Sequence, residues 1–473
     1  MHEKGVTKSQ HMLVPNVRNE DIPAKKLPQH IASFSSCLGA LVAGLILGWT
    51  SSAGIDGKSL ESVYNIEISP TDFSWISSIA TLGAAVMCIP TGILCDNVGR
   101  KNTILAMIVP LTICWLFIIF ANSVLMFYVG RFMGGISVGA FCVALPIYTT
   151  EIAEDKIRGS LGSYFQLLFA VGILLSYIIG SFVNMYTLSI ISAITPFIFF
   201  GTFIFMPESP IHYLQKGDED SARKSLIKLR GDKYNVEGEL RKQRKILEEN
   251  AKIKKSFFVS IKSKATIKGF IISYGLMFFL QFCGINAIIF YVGIILKETG
   301  STLNASNSSI IVGVMQVVTV VASALVVDRV GKRILLLLSA VFMCLSTAAL
   351  GVYFYLVENG KDVDAINWLP LASVCVFIIA YNVGFGPIAW VMLGELFVPE
   401  VKGVAASSAA VLSWLFAFII TKCYDDVKEA IHTGPTYWIL SAISAVGTLF
   451  VYFVVPETKG KSSIEIQREL NSS

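Results

Sequence analysis

Twelve apolar runs separated by short polar connectors organise the chain, at roughly 31–53, 74–95, 103–121, 124–148, 162–184, 187–206, 267–296, 308–327, 334–357, 367–393, 403–423 and 436–455. Each approaches the ~20 residues that a helix needs to cross about 30 Å of hydrocarbon. The pattern predicts an all-α polytopic membrane protein with twelve transmembrane helices. An even number of crossings puts both termini on one side. The opening stretch Met1–Gln29 is polar, carries Pro15, Pro23 and Pro28, and has no short apolar core followed by a cleavage site. It reads as a solvated tail and not as a signal peptide.

Composition narrows the class further. Of 473 residues, 54% are hydrophobic and only 15% charged, whereas soluble domains are about a quarter charged. That excludes a cytosolic enzyme, a disordered scaffold and a secreted disulfide framework. The nine cysteines are an odd number, sit in or beside apolar runs and show no CxxC spacing, so they read as small packing residues. His2, His11, His30, His212 and His432 all lie outside the runs. No metal or other cofactor is expected.

The sparse charges set the orientation. Arg100 and Lys101 follow the second run, Arg329, Lys332 and Arg333 the eighth, and 207–266 is dense in Lys and Arg. Connector 54–73 instead carries Asp56, Glu61, Glu67 and Asp72, and 424–435 carries Asp425, Asp426 and Glu429. By the positive-inside rule both tails and 207–266 are cytoplasmic, in a multi-pass protein of the plasma membrane. The net charge of +5 then faces anionic lipid and not nucleic acid. The sequons at Asn304 and Asn307 fall outside, where glycosylation is open to them. Within the long segment, Asp218 can cap a helix running through Ala222, Leu226 and Leu229 to Gly231, and Val236–Ile253 has a second amphipathic pattern. These read as short helices beneath the membrane domain, with a solvated linker as the alternative.

The chain also repeats itself. Asp96-Asn-Val-Gly99-Arg100-Lys101 returns as Asp328-Arg-Val-Gly331-Lys332-Arg333, Glu151 with Arg158-Gly159 returns as Glu395 with Lys402-Gly403, and Pro207-Glu208-Ser209 returns as Pro456-Glu457-Thr458. The three pairs keep their order and side, which predicts two parallel six-helix bundles. The division is a tail 1–30, a bundle 31–206, a linker 207–266, a bundle 267–455 and a tail 456–473. Asp96, Arg100, Glu151, Arg158, Asp328, Arg333, Glu395 and Lys402 are candidates for a cytoplasmic latch that joins the bundles when the protein opens outward. Helix-end charges without bundle contacts are the competing reading.

These motifs carry a resemblance. Together with Gly130-Arg131, Gln281-Phe-Cys-Gly-Ile-Asn286, Tyr291, Gly384-Phe-Gly386-Pro387 and Trp390, they resemble the sugar-porter family of the major facilitator superfamily from the first run to the last. Gly-Trp49-Thr50-Ser51 and the Pro-Glu-Ser-Pro ending are similar to the branch of insect facilitated trehalose carriers. The resemblance implies alternating access by a monomer. It also implies sugar contacts at Gln166, Gln281, Asn286 and Trp390 and a gate at Tyr291.

The residue types agree with such a site. A sugar needs neutral hydrogen-bonding groups and an aromatic plane at mid-depth. Gln166, Gln281, Asn286, Gln316, Asn382, Trp390 and Trp414 supply them from five of the runs, although amides also bond helix to helix. The interruption at Gly384, Gly386 and Pro387 is a place for the tenth helix to bend and close the outer path, or else a static kink. Against the family pattern, Leu280 replaces one amide, and Gln316, Asn382 and Ser413 alter three more positions. Plain glucose specificity is therefore not implied, and a facilitator of glucose or another monosaccharide is the alternative to trehalose or a related sugar.

Coupling turns on what is absent. The first run has no Asp, Glu or His, and Thr50 stands where proton-coupled sugar porters resemble one another in having Asp. Without a titratable group at mid-depth no proton can be tied to the sugar, so facilitated diffusion is expected ahead of symport. A polytopic enzyme would need one cluster of acid, base or metal ligands, and the symmetric duplication of charges argues against it. A transport-inactive sugar sensor would need a larger tail than Pro456–Ser473.

Overall fold

The computed structural model describes residues 23–53, 57–253, 261, 263–298, 305–326, 330–459, 461 and 463–472. Among them, twelve helices are long and apolar enough to span a membrane: Leu27–Ala53, Pro70–Val98, Arg100–Ile119, Val124–Ile152, Arg158–Phe182, Met185–Phe203, Lys264–Val292, Asn307–Val326, Lys332–Glu358, Asp364–Glu395, Val401–Ile431 and Thr433–Val454. Most overrun the apolar runs by a few residues, because backbone hydrogen bonding continues past the hydrophobic edge. The second span shows how such an end is made. Ser69 Oγ accepts from the Asp72 N–H at 3.1 Å while the Asp72 carboxylate accepts from the Ser69 N–H at 3.1 Å, a capping box that starts the helix at Pro70.

The third span has a one-residue interruption at Met107, between Arg100–Ala106 and Ile108–Ile119, and two others are broken more fully. The tenth divides into Leu369–Val383 and Phe385–Glu395 at Gly384, where the sequence places an interruption. A Cβ at Gly384 would lie 2.2 Å from Ser339 Cβ, and the Phe385 N–H donates to Ser339 Oγ at 3.2 Å. The break thus lies in tight contact with the ninth span. The seventh span, read from its pattern as one run, divides into Lys264–Phe282 and Ile285–Glu298 around Gly284 at φ 96°. Hydropathy cannot register such a break, since Cys283 and Gly284 are themselves apolar and small.

The spans form two six-helix bundles. In the first, the second and third spans pack on the fourth, and the fifth packs on the first; in the second, the ninth packs on the tenth and twelfth, and the seventh on the eleventh. A Cβ at Gly135 would sit 1.9 Å from the Ala80 carbonyl oxygen, and one at Gly172 2.1 Å from that of Leu41. Small residues here let the helix backbones touch, which is how helices gain contact energy in a solvent as apolar as themselves. The bundles meet where the second span packs on the eleventh and the fifth on the eighth.

Three short helices, Pro210–Gln215, Glu219–Arg230 and Val236–Ile253, lie between the bundles in sequence. The Asp218 carboxylate accepts from the Ser221 N–H at 3.0 Å and Gly231 ends the second helix at φ 93°, the cap and stop expected there. Ala222, Leu226, Val236 and Leu240 form a small core of their own, so much of the amphipathic face packs helix on helix. The attachment to the first bundle is polar: buried Arg230 pairs with Glu239 at 3.0 Å and donates to the Ile152 carbonyl at 2.7 Å.

Candidate functional site

A cavity of about 2660 Å³ separates the bundles. Its wall holds all seven amide and indole candidates: Gln166, Gln281, Asn286, Gln316, Asn382, Trp390 and Trp414. It continues past Gly386 and Pro387 to Asp96, Arg100, Glu151 and Lys402, and so opens on the face that carries the basic connectors. Most of the amides are buried from bulk solvent, Asn382 at 2%, Gln316 at 5%, Gln281 at 7% and Asn286 at 8% exposed, whereas Trp390 is 40% exposed. Asn382 Nδ2 has no partner among the described residues, so a donor stands ready at mid-depth. Leaving it unmade costs about 1–3 kcal/mol.

At the opposite, acidic face the cavity is closed. Ser74 Oγ donates to the Lys422 carbonyl at 3.0 Å, the Lys422 ammonium lies 5.5 Å from the Trp75 ring, and Trp75 packs on Phe418 at 5.9 Å. The Tyr177 hydroxyl donates to the Ile289 carbonyl at 2.7 Å, joining the fifth span to the outer half of the seventh. Tyr291 belongs to this seal and not to the cavity wall. It is 2% exposed, donates to Asp425 Oδ2 at 2.9 Å and meets the edge of Phe73 across the bundle interface at 6.1 Å.

Among the described residues, the ion pairs of the charges expected to form a latch fall into two sets, neither of which crosses the bundle interface. Arg100 Nη2 donates to Glu151 Oε1 at 2.9 Å and lies 3.3 Å from Asp96, all within the first bundle. In the second bundle it is Lys332, not Arg333, that pairs with Glu395. Arg333 instead donates to the Tyr452 carbonyl and lies 5.8 Å from the Tyr452 ring. Neighbouring residues on a helix point about 100° apart, and Lys332 is the one turned to the tenth span. Arg158 likewise pairs with Asp155 at 2.7 Å, three residues away and not with Glu151. Lys402 lies beside Gly394, and Asp328 is outside the described residues, as is Asn304. Asn307 is exposed in the first turn of its helix, with Ser308 and Ser309 of its sequon buried at 3% and 5%.

The third repeated pair, Glu208 and Glu457, has a role that the sequence reading leaves unassigned. Glu208 Oε1 accepts from the N–H groups of Arg100 and Lys101 at 3.0 Å each and of Ser209 at 2.8 Å. It thereby caps the third span, whose first N–H groups have no intrahelical acceptor. Glu457 does the same for the ninth span, accepting from the N–H groups of Lys332 and Arg333 at 3.2 Å each. The signal available in the sequence is the duplication itself, which returns both the cap and the helix start that it serves.

His212 makes the first of these turns sensitive to pH. It is 7% exposed, and its Nδ1 accepts from Arg100 Nη1 at 3.2 Å. Burial holds the imidazole below its ordinary range, opposed by the Glu208 carboxylate and helped by Arg100 and Lys216, with Asp96 nearby. The folded protein therefore binds this proton less readily than the unfolded chain, so stability is lost as pH falls through the ordinary imidazole range near ~6.5. Thermal unfolding in detergent should show a midpoint that falls between pH 7.5 and 5.5. In His212→Gln, whose amide oxygen still accepts from Arg100, the fall should be shallower, and an unchanged slope would remove His212 from the account.

Arg131 is a further buried charge in the first bundle, outside the cavity lining. It is fully buried, and its guanidinium donates to the carbonyls of Ile46 and Ile76 and to Thr50 Oγ1 at 3.0 Å, 5.4 Å from the Trp49 ring. Among the described residues it has no ion-pair partner. Neutral acceptors alone hold the charge in place.

Known proteins resemble this chain in sequence and architecture. Residues 30–470 match the family described as sugar (and other) transporter. A facilitated trehalose transporter of Culex quinquefasciatus is 37% identical over 445 residues, 93% of this chain and 86% of that protein. One of Bombyx mori is 37% identical over 444 residues, 94% of this chain and 87% of that one. A third, from Aedes aegypti, is longer, and the chain spans 55% of its length. The inward open structure of the xylose transporter XylE from E. coli superposes with a TM-score of 0.77 at 23% identity, covering 92% of this chain and 98% of that one. Its partially occluded inward open form gives 0.76, covering 92% and 99%. With the family match running through both bundles, the chain belongs to the sugar transporter family, membrane carriers and not enzymes.

Proposed function

We propose that this chain carries trehalose, or a related sugar, down its concentration gradient by exposing one central cavity alternately to the two faces of the plasma membrane. The observation that carries the reading is the convergence of seven neutral amide and indole side chains from five spans on one cavity wall. Such groups suit hydroxyls and the C–H face of a sugar ring. The named activity of the insect relatives supports the choice of trehalose.

In this reading the basic face is cytosolic, so both tails and the helices of 207–266 lie inside and the structure is open inward. The chain divides at 206/207 and 266/267 into two bundles that rock as a monomer within the lipid, with no cofactor. Arg100–Glu151 and Lys332–Glu395 are in-bundle pairs here because the inner ends of the bundles stand apart; the outward-open state brings those ends together and lets the pairs reach across. Tyr291 and the Gly384–Pro387 break are the moving parts of the outer closure. Among the described residues no carboxylate pairs with Arg131, which supports transport uncoupled from protons.

Uptake of labelled trehalose and labelled glucose by oocytes expressing the chain tests this. Trehalose should enter without accumulating above its external concentration. Gln281→Ala should raise KM about tenfold at equal surface level, the scale of losing hydrogen bonds to a substrate hydroxyl. Entry of glucose alone would make the substrate a monosaccharide, and entry of neither sugar by surface-expressed protein would overturn the assignment.

A further inference from the structure

Gln281 reaches the cavity wall with its amide already engaged at both ends. Its Nε2 donates to Ser413 Oγ at 2.8 Å, and its Oε1 accepts from Asn286 Nδ2 at 2.5 Å. Ser413 is 1% exposed, yet lines the same cavity. A carboxamide can occupy one position in two orientations that exchange its oxygen and nitrogen, and a site facing sugar hydroxyls reads them as opposite patterns. The serine hydroxyl both donates and accepts and the Asn286 amide can turn with its partner, so the two contacts hold the Gln281 carboxamide in place on the wall whichever way round it lies. With Gln281 so held, one N–H of Gln281, one N–H of Asn286 and the Asn286 carbonyl remain free to meet substrate.

We infer that Ser413 is a positioning residue for transport: its hydroxyl holds the Gln281 carboxamide at the place from which Gln281 and Asn286 meet the sugar. The inference rests on reading the cavity as the sugar site. In this inference Ser413 acts through Gln281. The arrangement ties the seventh span to the eleventh, which also supplies Lys422 to the outer seal, so the amide pair is held by a helix that takes part in closing the opposite face. Removing the hydroxyl leaves Gln281 free to rotate and deprives its N–H of an acceptor, which weakens sugar binding without touching the gate.

The test measures KM and maximal rate per surface-expressed carrier for labelled sugar in Ser413→Ala, Ser413→Thr, Gln281→Ala and the double variant Ser413→Ala/Gln281→Ala. Ser413→Ala should raise KM about fivefold, the scale of one hydrogen bond, with maximal rate unchanged. Ser413→Thr keeps the hydroxyl and should stay near wild type. In the Gln281→Ala background the serine change should add nothing, because its target is gone. If Gln281→Ala raises KM but Ser413→Ala does not, or if the two effects multiply, the positioning role is overturned while the sugar site stands. If Gln281→Ala itself leaves KM unchanged, the reading of the cavity fails and the positioning role with it.

Discussion

Replacing Glu208 with alanine should destabilise the protein by about 3 kcal/mol or more, since charge-assisted hydrogen bonds are worth about 1.5–3 kcal/mol each and Glu208 accepts from three backbone N–H groups. Two of those groups begin the third span, so the variant frays a helix start as well as orphaning donors next to buried Arg100. Glu208→Gln keeps the size and one acceptor oxygen and should lose about half as much. Glu457→Ala should cost less than Glu208→Ala, because its bonds to the ninth span are longer, 3.2 Å against 3.0 Å. Thermal unfolding of the detergent-solubilised protein, followed by its monodisperse fraction, ranks the three. Equal midpoints for Glu208→Ala and wild type would show that the carboxylate is not the cap.

Introducing Thr50→Asp should make a pH-independent carrier pH-dependent. The carboxylate would stand where Thr50 Oγ1 now accepts from Arg131 at 3.0 Å, at a position 0% exposed. An unscreened pair there is strong while it is charged and weak once the acid is protonated. Movement of the first span against the fourth would then require the proton, and uptake should rise about tenfold as external pH falls by one to two units, on the scale of one pKa unit per tenfold change in protonation. Thr50→Asn, which keeps a neutral hydrogen bond, should stay flat, as should wild type in the presence of a protonophore. A Thr50→Asp profile that overlays wild type would show that proton coupling needs groups beyond this pair.

Much of this architecture is legible in the sequence because a membrane constrains it so tightly. With no water to satisfy backbone groups, a long apolar run can only be a helix, and so the twelve spans stand where the hydropathy places them. The duplication of Asp96–Lys101 at 328–333 and of Glu151 at Glu395 likewise foretells two bundles, since equal turns recur only where equal units do. The polar composition of the site was legible for a related reason. An amide inside hydrocarbon is costly unless it faces a cavity or a partner, so Gln166, Gln281, Asn286, Gln316 and Asn382 mark themselves, and all of them line one wall.

What a one-dimensional pattern leaves open is which neighbour each polar group meets. Lys332 and Arg333 are adjacent cations after the same glycine, but the helix turns one to Glu395 and the other to Tyr452. Arg158 recurs with Glu151 in the duplicated motif, yet its partner is Asp155, three residues away. The sequence by itself determined the spans, the duplicated halves and the neutral chemistry of the cavity, because each follows from the cost of placing polar groups in hydrocarbon. Only the tertiary structure decided that the cavity opens on the basic face, that Glu208 and Glu457 cap the helices beginning at Arg100 and Lys332, and that Ser413 holds Gln281, because such contacts depend on helix rotation and packing between residues distant in the chain.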